Sequence, residues 1–321
     1  MTDKIIAASD QGIIFLKRTQ GGWEEDDVQM ENRQFTCITA EKSGSVLAGT
    51  RNGLFLSLDG GINWQDSNQG LSQLHLRSLA FHPDKPGFAY AGTEPAAIFI
   101  SKDGGHNWQE CLEVARLRDQ HDWFLPYSPE AGCIRGFAFS GKDGFAAVEV
   151  GGMLASYDFG ESWQLTQDQN NLNPPSKNIH ADVHRVYIHP KSKNTVLAPT
   201  GGGLYLSENG GQEWSKIHPN YCRGAWSDPN YKNTIILGPA DGPDKNGRIE
   251  RTADGGKTWE NANMGLDLPW NRTMVEHLIP VSDDLFAVLS NGRLIYASKR
   301  ELSWQTLLPP VKGVRDLAVL H

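Results

Sequence analysis

An all-β fold, a seven-bladed β-propeller of four-stranded antiparallel blades, is predicted by three features of this sequence. The first is a stretch that recurs in phase as [ST]-x-[DN]-x-G-x-x-W: Ser57-Leu58-Asp59-Gly60-Gly61-Ile62-Asn63-Trp64, then Ser101 to Trp108, Ser156 to Trp163, Ser207 to Trp214 and Thr252 to Trp259. The second is the tryptophan spacing. Trp23, Trp64, Trp108, Trp163, Trp214, Trp259 and Trp304 follow one another at 41 to 55 residues, a period typical of propellers and solenoids. The third is that each period holds several short apolar runs, such as Gly53-Leu54-Phe55-Leu56 and Gly203-Leu204-Tyr205-Leu206. Four short strands per period describe a propeller blade.

The recurring stretch reads as a tight hairpin turn. Ser57 and Asp59 are residue types that hydrogen-bond nearby backbone N–H groups, and the paired glycines accept the positive φ of primed turns. Trp64 then opens the next strand and offers a large ring to pack between neighbouring units. A calcium loop is the competing reading of Asp plus Gly, but one carboxylate per copy does not supply the roughly six to eight oxygens calcium takes. The five copies resemble the Asp-box, or BNR repeat, of sialidase, xyloglucanase and sortilin-type propellers and of the photosystem II assembly-factor type. The resemblance covers nearly the whole chain and implies that these turns lie away from the ligand face. Two flanking copies are degenerate, with Arg18 before Trp23 and Lys299 before Trp304 in the Asp position.

Innermost strands are expected over residues 35–39, 77–81, 135–139, 184–188, 223–227, 274–278 and 315–319, one per blade. The last has no strands after it, whereas the runs at 5–8 and 13–16 and Trp23 lack an inner partner. One C-terminal strand therefore joins three N-terminal strands in the closing blade, which removes an exposed edge. The expectation is one domain over residues 1–321. Within each blade the repeated turn and the first hairpin share a bottom face, and the remaining loops share the top. Two long insertions fall on top, 109–133 with His121-Asp122-Trp123-Phe124 and 164–182 with Asn173-Pro174-Pro175, as does the excursion 241–247. Long loops on a rigid scaffold are where binding commonly lives.

Composition narrows the function classes. The 321 residues are 39% hydrophobic, enough for one large β domain. No apolar run approaches the roughly 18 residues of a membrane span, and the start is too weakly apolar for a signal peptide, so the expected location is the cytoplasm. Cys37, Cys111, Cys133 and Cys222 are widely spaced, which points to buried free thiols. A net charge of −8 argues against general nucleic-acid binding. No cofactor is expected.

Aligning the inner strands on Phe81-His82-Pro83 and Ile188-His189-Pro190 brings Arg77, Arg135, His184 and Arg223 into one slot. Met274 takes it in blade six, with Arg272 two residues earlier, and the closing blade offers Arg315. These basic residues are expected to ring a central mouth, either to bind an anion through planar guanidinium forks or to pair with carboxylates at blade seams. The ends of the second strands read Arg51, Glu94, Glu149, Thr200, Asp241 and Asn291. Glu94, Glu149 and Asp241 are the catalytic candidates, since glycoside hydrolysis uses two carboxyl groups across a cleft. Their other reading is as ion-pair partners of the arginines. Trp123 and Trp270 lie in top loops, where they would either stack on a ligand or pin the loops. His180, Asp182 and His184, at alternate positions of an extended segment, are candidate metal ligands.

The sialidase resemblance would require an Arg-Ile-Pro stretch near the start, which is absent, and Tyr221 with Glu149 is the nearest approach to its Tyr–Glu pair. Xyloglucanases join two propellers, and this chain holds one. The expected function is therefore a non-catalytic binding or assembly propeller. It would hold a protein segment, or an anionic or carbohydrate ligand, at a basic top-face mouth. The alternative is a BNR-type glycoside hydrolase using the top-face carboxylates.

Overall fold

A computed structural model of the chain describes residues 4–125, 127, 132–167 and 176–320. Seven four-stranded antiparallel sheets form the blades. Blades one to six take consecutive strands, beginning at Phe35, Leu76, Cys133, Tyr187, Cys222 and Val275. In blade seven, Val314–Leu320 is the inner strand against Lys4–Ser9, with Gly12–Thr19 and Gly22–Gln29 outside it. The register runs Lys4↔Leu320, Ile5↔Val319 and Ile6↔Ala318, so both ends of the chain knit one sheet.

Second strands carry the core. Val46–Thr50 and Ala89–Thr93 are buried along their whole length, which is why they read as short apolar runs rather than alternating ones. Gly49 and Gly92 occupy equivalent positions, opposite Cys37 and Ser78. A Cβ on either would come within 2.6 Å of the next blade, at Leu76 and Ile134 respectively. These glycines let adjacent blades pack in contact. The hydrophobic clusters accordingly bridge blades: Leu47, Leu54 and Leu56 of blade one pack with Ala89, Ala91 and Phe99 of blade two.

The recurring turns are longer than two-residue primed hairpins. Blade one's third strand ends at Ser57 and its outer strand, Gln65–Asp66, begins after residues 58–64. Side chains close the loop. Ser57 Oγ accepts from Gly61 N at 2.9 Å and donates to Asp59 Oδ1 at 2.8 Å. Asp59 Oδ1 also accepts from Ile62 N and Asn63 N, at 3.1 and 2.9 Å. Asn63 holds Asp59 from outside, and these donors keep its carboxyl at about 2. Asp103 and Asp158 repeat the arrangement. Gly60 N donates to Gly44 O of the first hairpin at 2.9 Å, with counterparts at Gly104, Gly210 and Gly255. The turn and first hairpin therefore share one face.

Tryptophans lock the ring. Trp64, Trp163 and Trp214 donate to the glycine carbonyl of their own turn. Trp108, Trp259 and Trp304 donate instead to Ser67, Ile217 and Ala262 of the preceding blade. The two cations in the Asp position replace the turn carboxylate with other bonds: Arg18 pairs with Asp284 at 2.7 Å, and Lys299 donates to the Ser282 carbonyl. All four cysteines are buried and free, with burial pushing Cys37, Cys111 and Cys222 up to about 12. A short helix, Leu112–Gln120, occupies the first long insertion, where the sequence suggested only loop. Asn173-Pro174-Pro175 lies outside the described residues.

Candidate functional site: an arginine-lined mouth

Six of the seven inner strands begin with a break in register. Phe35/Cys37, Leu76/Ser78, Ile134/Gly136, Cys222/Gly224 and Val275/His277 flank one extra residue, as Val314 and Asp316 do in blade seven. A β-bulge re-aims the side chain it carries. The residues so placed, Thr36, Arg77, Arg135, Arg223, Glu276 and Arg315, all line one cavity of about 400 Å³. Arg51, His75 and Asp10 complete its rim, and Arg185 lines it from blade four.

Blade four departs from the pattern. His184 is fully buried, with Nδ1 2.8 Å from Cys222 O and Nε2 3.2 Å from Asp182 Oδ1. It does not reach the mouth; the next residue, Arg185, does. Between the Val183↔Thr200 bridge and the Tyr187–His189 strand the ladder is interrupted, so strict alternation fails there. Blade six also departs. Met274 is buried and Arg272 is exposed outside the cavity, while Glu276 takes the slot. The slot thus falls two residues after Met274, and the strand starts at Val275.

The ring is a chain of ion pairs. Arg77 lies 2.5 Å from Glu94 and 4.0 Å from Glu149, and Arg135 lies 3.2 Å from Glu149 and 3.5 Å from Glu276. Arg223 pairs with Glu276 at 2.5 Å, and Arg315 with Asp10 at 2.5 Å. Burial disfavours the ionised form of Glu149, but Arg135, His184, Tyr127 and Arg77 outweigh it and hold Glu149 at about 2. Glu276 is likewise held below its ordinary value by Arg223 and Arg135 against burial. Burial opposes the charge on Arg135, yet Glu149 and its other neighbours raise it above the ordinary arginine value.

Arg51 and Arg185 differ from the other four arginines: among the described residues neither has a carboxylate within ion-pair distance. Among the described residues, six guanidiniums thus line the mouth with four ion-paired carboxylates, Asp10, Glu94, Glu149 and Glu276, while Arg185 also helps to hold the Asp316 carboxyl, in the adjoining cavity, below its ordinary value. Arg185 also lines a second cavity of about 210 Å³ further along the axis, with His277 and Asp316. Burial first, and Arg185 second, push His277 down to about 4, so its ring is neutral near pH 7.

Other sequence candidates lie elsewhere. Asp241 is exposed and bonds Arg248 and Asn246 within its own loop, at 3.1 and 3.0 Å; it does not approach the arginine ring. Trp123 is 3% exposed and packs with Tyr90, Ile134 and Val148. Trp270 is half-buried against the cluster containing Trp226 and is tied to Gly247 by two backbone bonds. Both pin loops. The exposed aromatics of the first insertion are Phe124 and Tyr127, and Tyr127 reaches Glu149. His180 Nδ1 accepts from Asp182 N at 3.1 Å. Glu149, Asp182 and His184 are instead the group whose potential ligand atoms lie within 4.8 Å of one another. Arg185, His75 and Glu276 were absent from the sequence candidates; only the bulge positions would have found Glu276.

The strands and their closure define the class: a seven-bladed β-propeller with a polar central mouth. No family model matches the chain, and no curated protein sequence matches it. Among solved structures, similar folds include an ancestral GH74 enzyme, with a TM-score of 0.64 at 18% identity over 89% of this chain. This chain spans 38% of that enzyme's length. YCF48 bound to D1 peptide gives a TM-score of 0.58 at 15% identity, covering 96% of this chain and 86% of that one. YCF48 from Cyanidioschyzon merolae gives 0.56 at 16% identity, covering 100% and 96%. At these identities the likeness establishes the propeller fold. No described helix is long and apolar enough to cross a membrane.

Proposed function

We propose that this chain is an Asp-box, BNR-type propeller that binds rather than catalyses, holding an anionic protein segment at the basic mouth of its top face. The observation that carries the reading is the pair Arg51 and Arg185, which line the cavity without a carboxylate partner while their neighbours are clasped. A guanidinium offers five donors in a fork that matches a carboxylate. The ion pairs around Arg77, Arg135 and Arg223 fix the walls, and the two unpaired guanidiniums supply the excess positive charge. The cavity of about 400 Å³ suits a few side chains or a chain terminus. The likeness to YCF48, whose structure was solved bound to D1 peptide, supports a peptide as the occupant.

The likeness to a GH74 enzyme motivates the hydrolase alternative, but the carboxylates are poorly suited to it. Glycoside hydrolysis needs one carboxyl group kept protonated to donate to the leaving oxygen. Glu149 is held at about 2, Glu94 is clamped by Arg77, and Asp241 stands apart from the mouth. A fluorescein-labelled acidic peptide, followed by anisotropy, tests the binding reading. Changing Arg51 and Arg185 together to Ala should weaken its binding about 10- to 100-fold, the loss of charge-assisted hydrogen bonds worth about 1.5–3 kcal/mol. The thermal midpoint should stay near wild type, because neither side chain holds an ion pair among the described residues. Unchanged affinity in the double variant would remove the mouth from consideration.

A further inference from the structure

Behind the mouth wall, between blades three and four, stands the group Glu149, Asp182 and His184. We propose that these three side chains bind one divalent transition-metal ion, with zinc the best match. The strongest indication is the contact between His184 and Asp182. His184 Nδ1 lies 2.8 Å from the Cys222 carbonyl oxygen. A carbonyl only accepts, so Nδ1 carries a proton, and in the neutral ring Nε2 presents its lone pair. That lone pair stands 3.2 Å from Asp182 Oδ1 and 3.3 Å from the Tyr221 hydroxyl, which accepts from Arg223 Nε and has its own hydrogen to donate to the imidazole. The hydroxyl serves Nε2 and leaves Asp182 Oδ1 unserved; a metal on Nε2 would take the place of that hydroxyl hydrogen. Asp182 Oδ1 is buried and has no hydrogen-bond partner among the described residues, His184 included. Their approach is close but misaligned. A metal ion bonds both atoms from a point off the line that joins them, so it does not require that alignment.

The donor set fits a borderline ion. One imidazole and two carboxylates match the three protein ligands of an open zinc site, with a fourth position left for water or an incoming ligand. Calcium, which takes about six to eight oxygens, is poorly served. Bonds of about 2.0–2.1 Å in a tetrahedron place ligand atoms about 3.3 Å apart. His184 and Asp182 already meet that spacing; Glu149, within 4.8 Å, needs a small side-chain rotation. The Cys222 carbonyl orients the imidazole, the role an outer hydrogen bond plays at metal-bound histidines. Arg135, 3.2 Å from Glu149 Oε2, opposes the ion and must yield partly, so the expected affinity is moderate. A metal here would add positive charge beside the mouth.

Titration of the metal-freed protein with zinc chloride, followed by calorimetry, tests the assignment. One site per chain is expected, with affinity at least about tenfold weaker in Asp182→Asn and in His184→Gln. Zinc should raise the thermal midpoint of the wild type and not of Asp182→Asn, a near-isosteric variant that keeps the fold testable if His184→Gln does not fold. Arg51→Ala/Arg185→Ala should still bind zinc, which separates this site from the peptide reading. Absence of zinc binding by the wild type, or equal binding by the wild type and Asp182→Asn, would overturn the proposal and leave the His184–Asp182 contact to a proton.

Discussion

Deleting the closing strand, Val314–Leu320, is expected to abolish cooperative folding. Val314, Leu317 and Ala318 are buried in it, and burying a Val or Leu side chain contributes about 1.5–3 kcal/mol. The deletion would also strip the backbone partners of Lys4–Ser9, a strand whose Ile5, Ile6, Ala7 and Ala8 are fully buried, and expose them as a free edge. Asp316 accepts from Ile38 N at 3.2 Å and lies 3.1 Å from His277 Nδ1, so blades one and six lose an anchor as well. Together these losses rival the roughly 5–15 kcal/mol net stability of a domain. The truncated chain should elute as aggregate or unfolded material on size exclusion, with no sigmoidal thermal transition by circular dichroism. A monomer melting near the wild-type midpoint would refute the interlocked closure.

Glu149→Ala should be the most damaging single substitution in the mouth wall. The side chain is 5% exposed and touches Arg135 and Arg77, with Cys133 Sγ at 3.2 Å. Removing it leaves buried guanidiniums facing one another with one partner fewer. Breaking a buried ion pair from one side costs about 3–5 kcal/mol. Urea unfolding should show a loss of that size in Glu149→Ala. A change below about 1 kcal/mol, within the range of an ordinary surface pair, would mean that Glu149 is not a structural counter-ion.

Much of the architecture was legible because its signals are local. A serine, an aspartate, a glycine and a tryptophan at fixed spacing need only their own backbone to make the turn, and seven tryptophan-marked periods count the blades. The closing strand was legible by subtraction, from a C-terminal inner strand with no followers and N-terminal strands with no leader. The site was read less completely. Arg77, Arg135, Arg223 and Arg315 do gather at one mouth, because their strands begin alike. Counting failed in blade four, where the backbone leaves the ladder and turns His184 inward while Arg185 faces the axis. It failed in blade six, where the slot residue is acidic and the search was for a basic one, so Glu276 was passed over for Met274 and Arg272. Trp123 and Trp270 were ambiguous because ring burial depends on loop packing against distant strands. The turn of blade three shows tertiary context overriding local preference: Phe159 holds a φ of 65° where other copies have glycine, its ring lying 5.6 Å from that of His82 and 4.3 Å from Lys85 Nζ.

The central claim is that unpaired guanidiniums make the mouth an anion receptor. Diffraction from crystals soaked in sodium bromide, read at the bromine absorption edge, tests it most directly. An anomalous peak is expected inside the cavity, within contact of the Arg185 guanidinium, that disappears in Arg185→Ala crystals. Bromide found only on the outer surface, with the mouth empty at the same concentration, would contradict it.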